Sequence, residues 1–142
     1  MKKVITTSIQ IHAKPEKVWQ ILTDFVNYPN WNTFITSVQG EAVIGNSITV
    51  RIEPPNGKAM TFNPVILERI ENKKLTWLGK LLFKGLFDGK HSFELLDNAD
   101  GTTTLLHAEE FSGLLTGMLN LKNTEKGFLA MNSQLKIAAE QP

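Results

Sequence analysis

Two histidines and a glutamate in the second half of the chain are the side chains best suited to chemistry. In segment 86–96 the odd-numbered residues are mostly apolar and the even-numbered residues mostly polar. This alternation is typical of a strand with one face in the core, so His91 is predicted to point inward. In segment 102–112 the alternation places His107 and Glu109 together on one face, which we also interpret as the inner one.

A turn between these two segments is predicted to bring the three side chains together. The run 97–101 reads Asp-Asn-Ala-Asp-Gly, a composition typical of turns. If this run closes a hairpin, the numbers of directly paired residues sum to about 198–200, and His91 faces His107 or Glu109. A second bend, earlier in the chain, is predicted to set Trp77 beside His91.

A carboxylate beside a histidine in an apolar cavity can act as a general acid–base pair, because burial and mutual charge shift the pKa of both groups. His91, His107 and Glu109 are therefore the candidate catalytic residues. Two alternatives remain: the three residues line a ligand cavity without chemistry, or they satisfy one another as structural polar groups. Their spacing is not that of a zinc site, and we predict neither a metal nor a cofactor.

The candidate ligand-binding residues are mostly aromatic or apolar side chains on the inner faces of predicted strands and of the last helix. They are Trp77, Phe87, Phe93, Leu105, Phe111, Phe62, Met118, Phe128 and Asn132. Trp19 and Trp31 are instead expected to anchor helical segments against the sheet. The apolar tip at 81–87 is interpreted as a packed hairpin, with a portal lip, a dimer contact or a membrane-touching loop as alternatives.

Changes in hydrophobic period predict the elements that position these residues. An alternating, β-branched strand is predicted over 4–11, followed by a helix that begins at Pro15 and ends in a turn with a short second helix. After Gly113 apolar residues at mixed three- and four-residue spacing predict a long C-terminal helix, with a weak point near 124–127. Between these helices, turn signals separate six predicted strands: 35–43, 47–53, 58–70, 73–81, 86–96 and 102–112.

This order predicts one α+β domain over residues 1–142, with the elements arranged β-α-α-β6-α. Short connections favour a seven-stranded antiparallel sheet, and only the C-terminal helix is long enough to cover one of its faces. A helix is too narrow to fill a strongly curved sheet, and the remaining gap is a place for a ligand. With no cysteine in 142 residues, disulfides and a cysteine nucleophile are excluded.

Composition narrows the classes of partner. The formal net charge is only +1, and nucleic-acid binding usually needs a strongly basic face. Nucleic acid is therefore not an expected partner. No stretch approaches the roughly 18 apolar residues of a membrane span, and the N-terminal lysines are followed by no apolar run typical of a signal peptide. We therefore expect a cytoplasmic protein without an integral membrane segment.

The element order and several local motifs resemble the SRPBCC superfamily. The motifs are Val18-Trp19, the Tyr-Pro-Asn-Trp-Asn run at 28–32, the Gly-Leu-Phe-Asp-Gly-Lys-His-Ser-Phe-Glu-Leu run at 85–95 and the His-Ala-Glu-Glu-Phe-Ser-Gly run at 107–113. This group includes START lipid-transfer domains, polyketide cyclase/dehydrase-like proteins and birch-pollen-allergen-type proteins. The resemblance implies a helix-grip fold, in which a curved sheet wraps around the C-terminal helix and encloses an apolar cavity.

The leading hypothesis for function is the binding, or transport, of a small hydrophobic molecule such as a lipid or polyketide-like metabolite, as the resemblance implies. One alternative is a cyclase or dehydratase, with His91 or His107 as the acid–base group and Glu109 orienting it. Another is a protein-interaction module of the chaperone co-factor type. Expected partners are the small molecule and, if the protein is a homodimer and not a monomer, a second copy of the chain.

Overall fold

A computed structural model describes residues 2–81, 87–114, 116 and 120–142. Its eight strands are β1 (Lys2–Ile11), β2 (Ile35–Gln39), β3 (Thr49–Ile52), β4 (Met60–Phe62), β5 (Val65–Ile70), β6 (Lys74–Leu81), β7 (Phe87–Asp97) and β8 (Thr103–Ser112). Its α-helices are α1 (Pro15–Thr23) and α2 (Lys122–Ala139), and a 3-10 helix covers Phe25–Asn30. The α+β architecture is thus confirmed.

The strands form two antiparallel sheets where the sequence predicts one. The larger sheet has five strands in the order β1-β8-β7-β6-β5, and the smaller has three in the order β2-β3-β4. Backbone hydrogen bonds join the two, since Gly45 N–H donates to Ile66 O over 2.9 Å and Ile48 N–H donates to Pro64 O over 2.9 Å. The segment before β3 therefore lies along the β5 edge.

The predicted strand 58–70 is divided into β4 and β5 at Asn63 and Pro64. Proline has no backbone N–H to donate to a sheet ladder, so it is disfavoured within a central strand. Beyond this break, β5 pairs with β6 while β4 pairs with β3. The proline is therefore where the chain passes from the small sheet to the large one.

The first helix and the 3-10 helix cover one end of the core. Pro15 starts α1 with its fixed φ, and Val18, Trp19 and Leu22 are buried. Tyr28, in the 3-10 helix, is fully buried, and its hydroxyl donates to Leu22 O over 2.5 Å. Burial raises the pKa of Tyr28 far above its usual value, so the phenol stays neutral and keeps this bond.

The C-terminal helix begins later than the sequence pattern suggests. α2 starts at Lys122, its N-cap residue Leu121 makes no side-chain hydrogen bond, and Leu114 is not helical and is largely exposed. Along α2, Phe128, Met131 and Leu135 are buried against the inner face of the sheet. These residues fill part of the space between the helix and the sheet.

Candidate functional site

A cavity of about 240 Å³ remains in the part of this space that side chains do not fill. Its described walls come from the small sheet, the large sheet and the start of α2. The small sheet contributes Val50, Ile52, Met60 and Phe62. The large sheet contributes Trp77, Gly79, Asp88, Gly89, His91, Glu109 and Phe111, and the start of α2 contributes Leu121 and Thr124. Residues between these elements complete the described walls: Phe34, Pro54, Pro64 and Asn120.

Two rows of cross-strand neighbours build the wall on the large sheet. In the first row Trp77 pairs with His91, and His91 pairs with Glu109 on its other side. The predicted register between β7 and β8, and the placement of Trp77 beside His91, are therefore confirmed. The second row consists of Gly79, Gly89 and Phe111. Its two adjacent glycines leave the space that larger side chains would occupy.

The first row ends in a carboxylate–histidine contact. Glu109 Oε1 lies 3.3 Å from His91 Nδ1, and the exposed fractions of the two side chains are 14% and 1%. The His91 ring also lies 5.1 Å from the Trp77 ring, centroid to centroid. Of the two partners, Glu109 is therefore the more accessible to solvent or a ligand.

Behind His91 a chain of buried polar groups continues into the core. His91 Nε2 lies 2.7 Å from His107 Nε2, and His107 Nδ1 lies 2.7 Å from Asn132 Oδ1. Asn132 Nδ2 donates to Thr7 Oγ1 over 2.9 Å, and Thr7 Oγ1 donates to the backbone oxygen of His107 over 2.7 Å. We call this chain, from Glu109 through His91, His107 and Asn132 to Thr7, the polar relay.

His107 is enclosed by aromatic rings. It stacks on Phe128 with 4.1 Å between ring centroids and on Phe93 with 4.5 Å, and it is fully buried. Desolvation, followed by the charge of His91, lowers the pKa of His107 well below its usual value, although the hydrogen bond to Asn132 opposes this shift. His107 is therefore neutral at physiological pH.

Gly89 makes room for the Glu109 carboxylate. A Cβ atom at position 89 would collide with Glu109 Oε2. The second oxygen of the carboxylate thus lies over the Gly89 backbone on the cavity wall, while the first contacts His91. Any side chain at position 89 would displace this carboxylate.

The structure brings five of the candidate residues to the cavity: Trp77, His91, Glu109, Phe111 and Phe62. It buries five others behind the wall, where they are not among the lining residues: His107, Phe93, Leu105, Phe128 and Asn132. Met118, the side chain of Phe87 and the tip of the hairpin lie outside the described residues. Trp19 and Trp31 pack in or against the core.

Gly79 and the residues of β3 line the cavity but were not predicted from the sequence. Gly79 is in phase with Trp77 on an alternating strand, and this phase was a usable signal for the inner face. Val50 and Ile52 alternate in the same way, but their approach to the large sheet depends on the chain break at Pro64. Within the described part of the chain, no three His, Asp or Glu side chains converge to hold a metal ion.

Residues 2–131 match the sequence model of a protein family described as polyketide cyclase / dehydrase and lipid transport. No curated protein matches the chain in sequence. Among the described residues, no helix has the length and apolar character needed to cross a membrane.

Several solved structures share the fold over nearly the whole chain. A START superfamily protein from Mycobacterium smegmatis is 17% identical, with a TM-score of 0.78 and coverage of 97% of each chain. The Zhui aromatase/cyclase from Streptomyces sp. R1128 is 14% identical, with a TM-score of 0.78 and coverage of 99% of this chain and 94% of that one. Major latex-like protein 151 from Panax ginseng is 14% identical, with a TM-score of 0.79 and coverage of 99% of each chain. At these identities the likeness establishes the fold alone.

Proposed function

We propose that this chain, which belongs to the polyketide cyclase/dehydrase and lipid-transport family, binds a small and mainly apolar ligand in the cavity between its two sheets. The observation that carries the proposal is an open apolar cavity with one polar pair in its wall, the partly exposed Glu109 and the buried His91. Binding pockets typically combine apolar walls with a few placed polar groups in this way.

The cavity volume limits the size of the ligand. A dry cavity of about 150 Å³ holds one benzene molecule, and the cavity here measures about 240 Å³. A ligand of one to two fused rings, or an aliphatic chain of similar bulk, fits this space. The aromatic walls formed by Phe62, Trp77 and Phe111 suit such a ligand, because flat rings pack well against aromatic side chains.

A cavity-filling variant tests the proposal directly. A Cβ at Gly79 would meet Pro64 Cβ at 3.7 Å and Gly89 O at 3.9 Å, both ordinary contacts. Gly79→Leu should therefore fold and project its side chain into the cavity. We expect it to weaken the binding of naphthalene, measured by calorimetry, by about tenfold or more, since overpacking costs roughly 1–3 kcal/mol.

Lys80→Leu is the matched control, because Lys80 is the next residue of β6 and is exposed. It adds the same side chain to the opposite face of the sheet and should leave binding unchanged. Native mass spectrometry of protein purified from cells should show a bound small molecule that is lost only in Gly79→Leu. Unaltered binding of naphthalene by Gly79→Leu would refute the cavity as the binding site.

A second candidate function is acid–base catalysis on the bound ligand, favoured by the contact between Glu109 and buried His91. Because Glu109 is the more exposed partner, it is the group that would exchange a proton with the ligand, and His91 and His107 would position it. This arrangement reverses the roles expected from the sequence.

The catalytic candidate is tested with the molecule that co-purifies with the protein. We expect Glu109→Gln to stop its conversion, followed by mass spectrometry, while leaving its binding within about threefold, because the amide keeps the size of the carboxyl and much of its hydrogen bonding. Conversion that continues at the original rate in Glu109→Gln would leave ligand binding as the sole function of the cavity.

A further inference from the structure

We propose that the cavity selects ligands carrying a hydrogen-bond donor, a hydroxyl or N–H group, and that Glu109 Oε2 accepts that bond. The inference rests on the proposed function, because it concerns the ligand in the same cavity. It follows from the direction in which protons are arranged along the polar relay.

The direction is fixed at the inner end of the relay by a backbone carbonyl. The oxygen of His107 can only accept, so the single proton of the Thr7 hydroxyl points toward it. Thr7 Oγ1 must then accept from Asn132, which identifies the Asn132 atom facing it as the NH₂ nitrogen. The amide oxygen of Asn132 is thereby left to accept from His107 Nδ1.

The donor and acceptor atoms of both histidines follow from this assignment. With a proton on Nδ1 and a neutral ring, His107 uses its Nε2 as an acceptor, and His91 Nε2 donates to it over 2.7 Å. His91 Nδ1 and Glu109 Oε1 lie 3.3 Å apart, too close for two unprotonated acceptor atoms to face each other without repulsion, so one of these two atoms carries a further proton. If that proton resides on His91 the pair is ionic, and if it resides on Glu109 the pair is neutral.

In either distribution the shared proton lies between Nδ1 and Oε1, so Glu109 Oε2 carries none. Oε2 lies over Gly89 on the cavity wall. The wall therefore presents a hydrogen-bond acceptor to the ligand.

The other lining groups reinforce this selection. The described residues that line the cavity include neither lysine nor arginine. Asn120 and Thr124 stand at the start of α2 and are less buried than His91. A phenol, alcohol or enol satisfies Glu109, whereas an ether, ketone or carboxylate would place an acceptor against an acceptor at a desolvated site.

Calorimetry with four bicyclic probes tests this inference: naphthalene, 2-naphthol, 2-methoxynaphthalene and 2-naphthoate. We expect 2-naphthol to bind about tenfold or more tightly than 2-methoxynaphthalene, because only the naphthol can donate a hydrogen bond to Glu109, and bonds to charged or charge-sharing groups are among the stronger ones. Naphthoate should bind more weakly than naphthalene. Equal affinity for the naphthol and its methyl ether would overturn the inference.

Variants at position 109 test the direction of the relay. Glu109→Leu should abolish the preference for 2-naphthol while leaving naphthalene bound. In Glu109→Gln the amide nitrogen should donate to His91 Nδ1 and leave the amide oxygen toward the cavity, so the preference should persist at reduced strength. Glu110→Gln, on the opposite face and paired with Lys2 over 3.2 Å, is the matched control and should behave as the parent protein. A Glu109→Gln variant that preferred the methyl ether would refute the assigned direction.

The proton arrangement is also measurable without a ligand. In nitrogen-15 spectra of histidine-labelled protein at neutral pH, His107 should be the neutral tautomer with its proton on Nδ1. The opposite tautomer would overturn the inference. If naphthalene and all its derivatives fail to bind, the proposed function fails with the inference; if they bind without preference, only the inference fails.

Discussion

At the scale of single residues, the site depends on how deeply each polar side chain is buried. Alternation along β7 and β8 correctly indicates which face His91 and Glu109 occupy. It carries no information on which side chains the last helix covers. His107 shares a face with Glu109, yet Phe128 stacks on its ring and removes it from the cavity. Depth is set by the rotation and position of α2, and these depend on the packing of the whole core.

The buried, neutral state of His107 has a consequence for stability. The pKa of His107 is lowered in the folded protein, whereas in the unfolded chain it has the usual value of about 6.5. Between these two pKa values the unfolded chain binds more protons than the folded protein. The free energy of unfolding contributed by His107 is therefore fully present above about pH 6.5 and declines by up to ~1.4 kcal/mol per pH unit below it. Urea unfolding at several pH values from 8 to 5 measures this slope.

A His107→Phe variant isolates the contribution of His107, because it removes the titrating group and should reduce the slope. Glu53, Asp100 and Glu140 have lowered pKa values, so their contributions are lost only below about pH 4.5, outside this window. A free energy of unfolding that stays constant from pH 8 to 5 would contradict the prediction.

At the scale of secondary-structure elements, the contact between α2 and the chain before β2 depends on one glycine. A Cβ at Gly127 would collide with the ring of Phe34, which also packs on Phe128 with 5.5 Å between centroids. Alanine is favoured over glycine in a helix by about 1 kcal/mol. Displacing a buried ring from a packed core, however, costs roughly 1–3 kcal/mol.

We therefore expect Gly127→Ala to lower the free energy of unfolding by up to about 2 kcal/mol, because the steric cost exceeds the gain in helix propensity. Urea unfolding at pH 7.5 measures the change. Ser133→Ala, at an exposed position of the same helix, serves as a control for propensity and should be neutral or slightly stabilising. An increase in stability on Gly127→Ala would show that Phe34 can move aside without cost.

The element boundaries show where sequence patterns carried enough information. The register of β7 and β8 was predictable because a turn-rich run fixes the hairpin between them. The start of α2 at Lys122 was not, because its N-cap, Leu121, supplies no side-chain hydrogen bond and leaves no capping signature in the sequence. Pro64 is a signal for a strand break that the prediction of one strand over 58–70 did not take up, and a break alone does not reveal that a separate sheet precedes it.

At the scale of the whole molecule, most of the architecture follows from local patterns, whereas the cavity does not. Element order and the inward faces of β6, β7 and β8 could be read from the period of apolar residues. The cavity is a difference between the space the sheets enclose and the volume of the side chains that fill it. Phe93, Leu105 and Phe128 belong to the filled part, and no periodicity separates them from Phe62 or Phe111.

The neighbouring glycines on β6 and β7, Gly79 and Gly89, control two different properties of the site: the space available to a ligand and the polarity of the wall. A methyl group added at Gly79 meets only ordinary contacts and would trim the room available to a guest. One added at Gly89 strikes Glu109 and would alter the polar wall instead. A single substitution can therefore change the size of ligand that the site accepts without changing the chemistry that it selects, and another can do the reverse. Evolved or designed variants of this fold can alter either property while keeping the other.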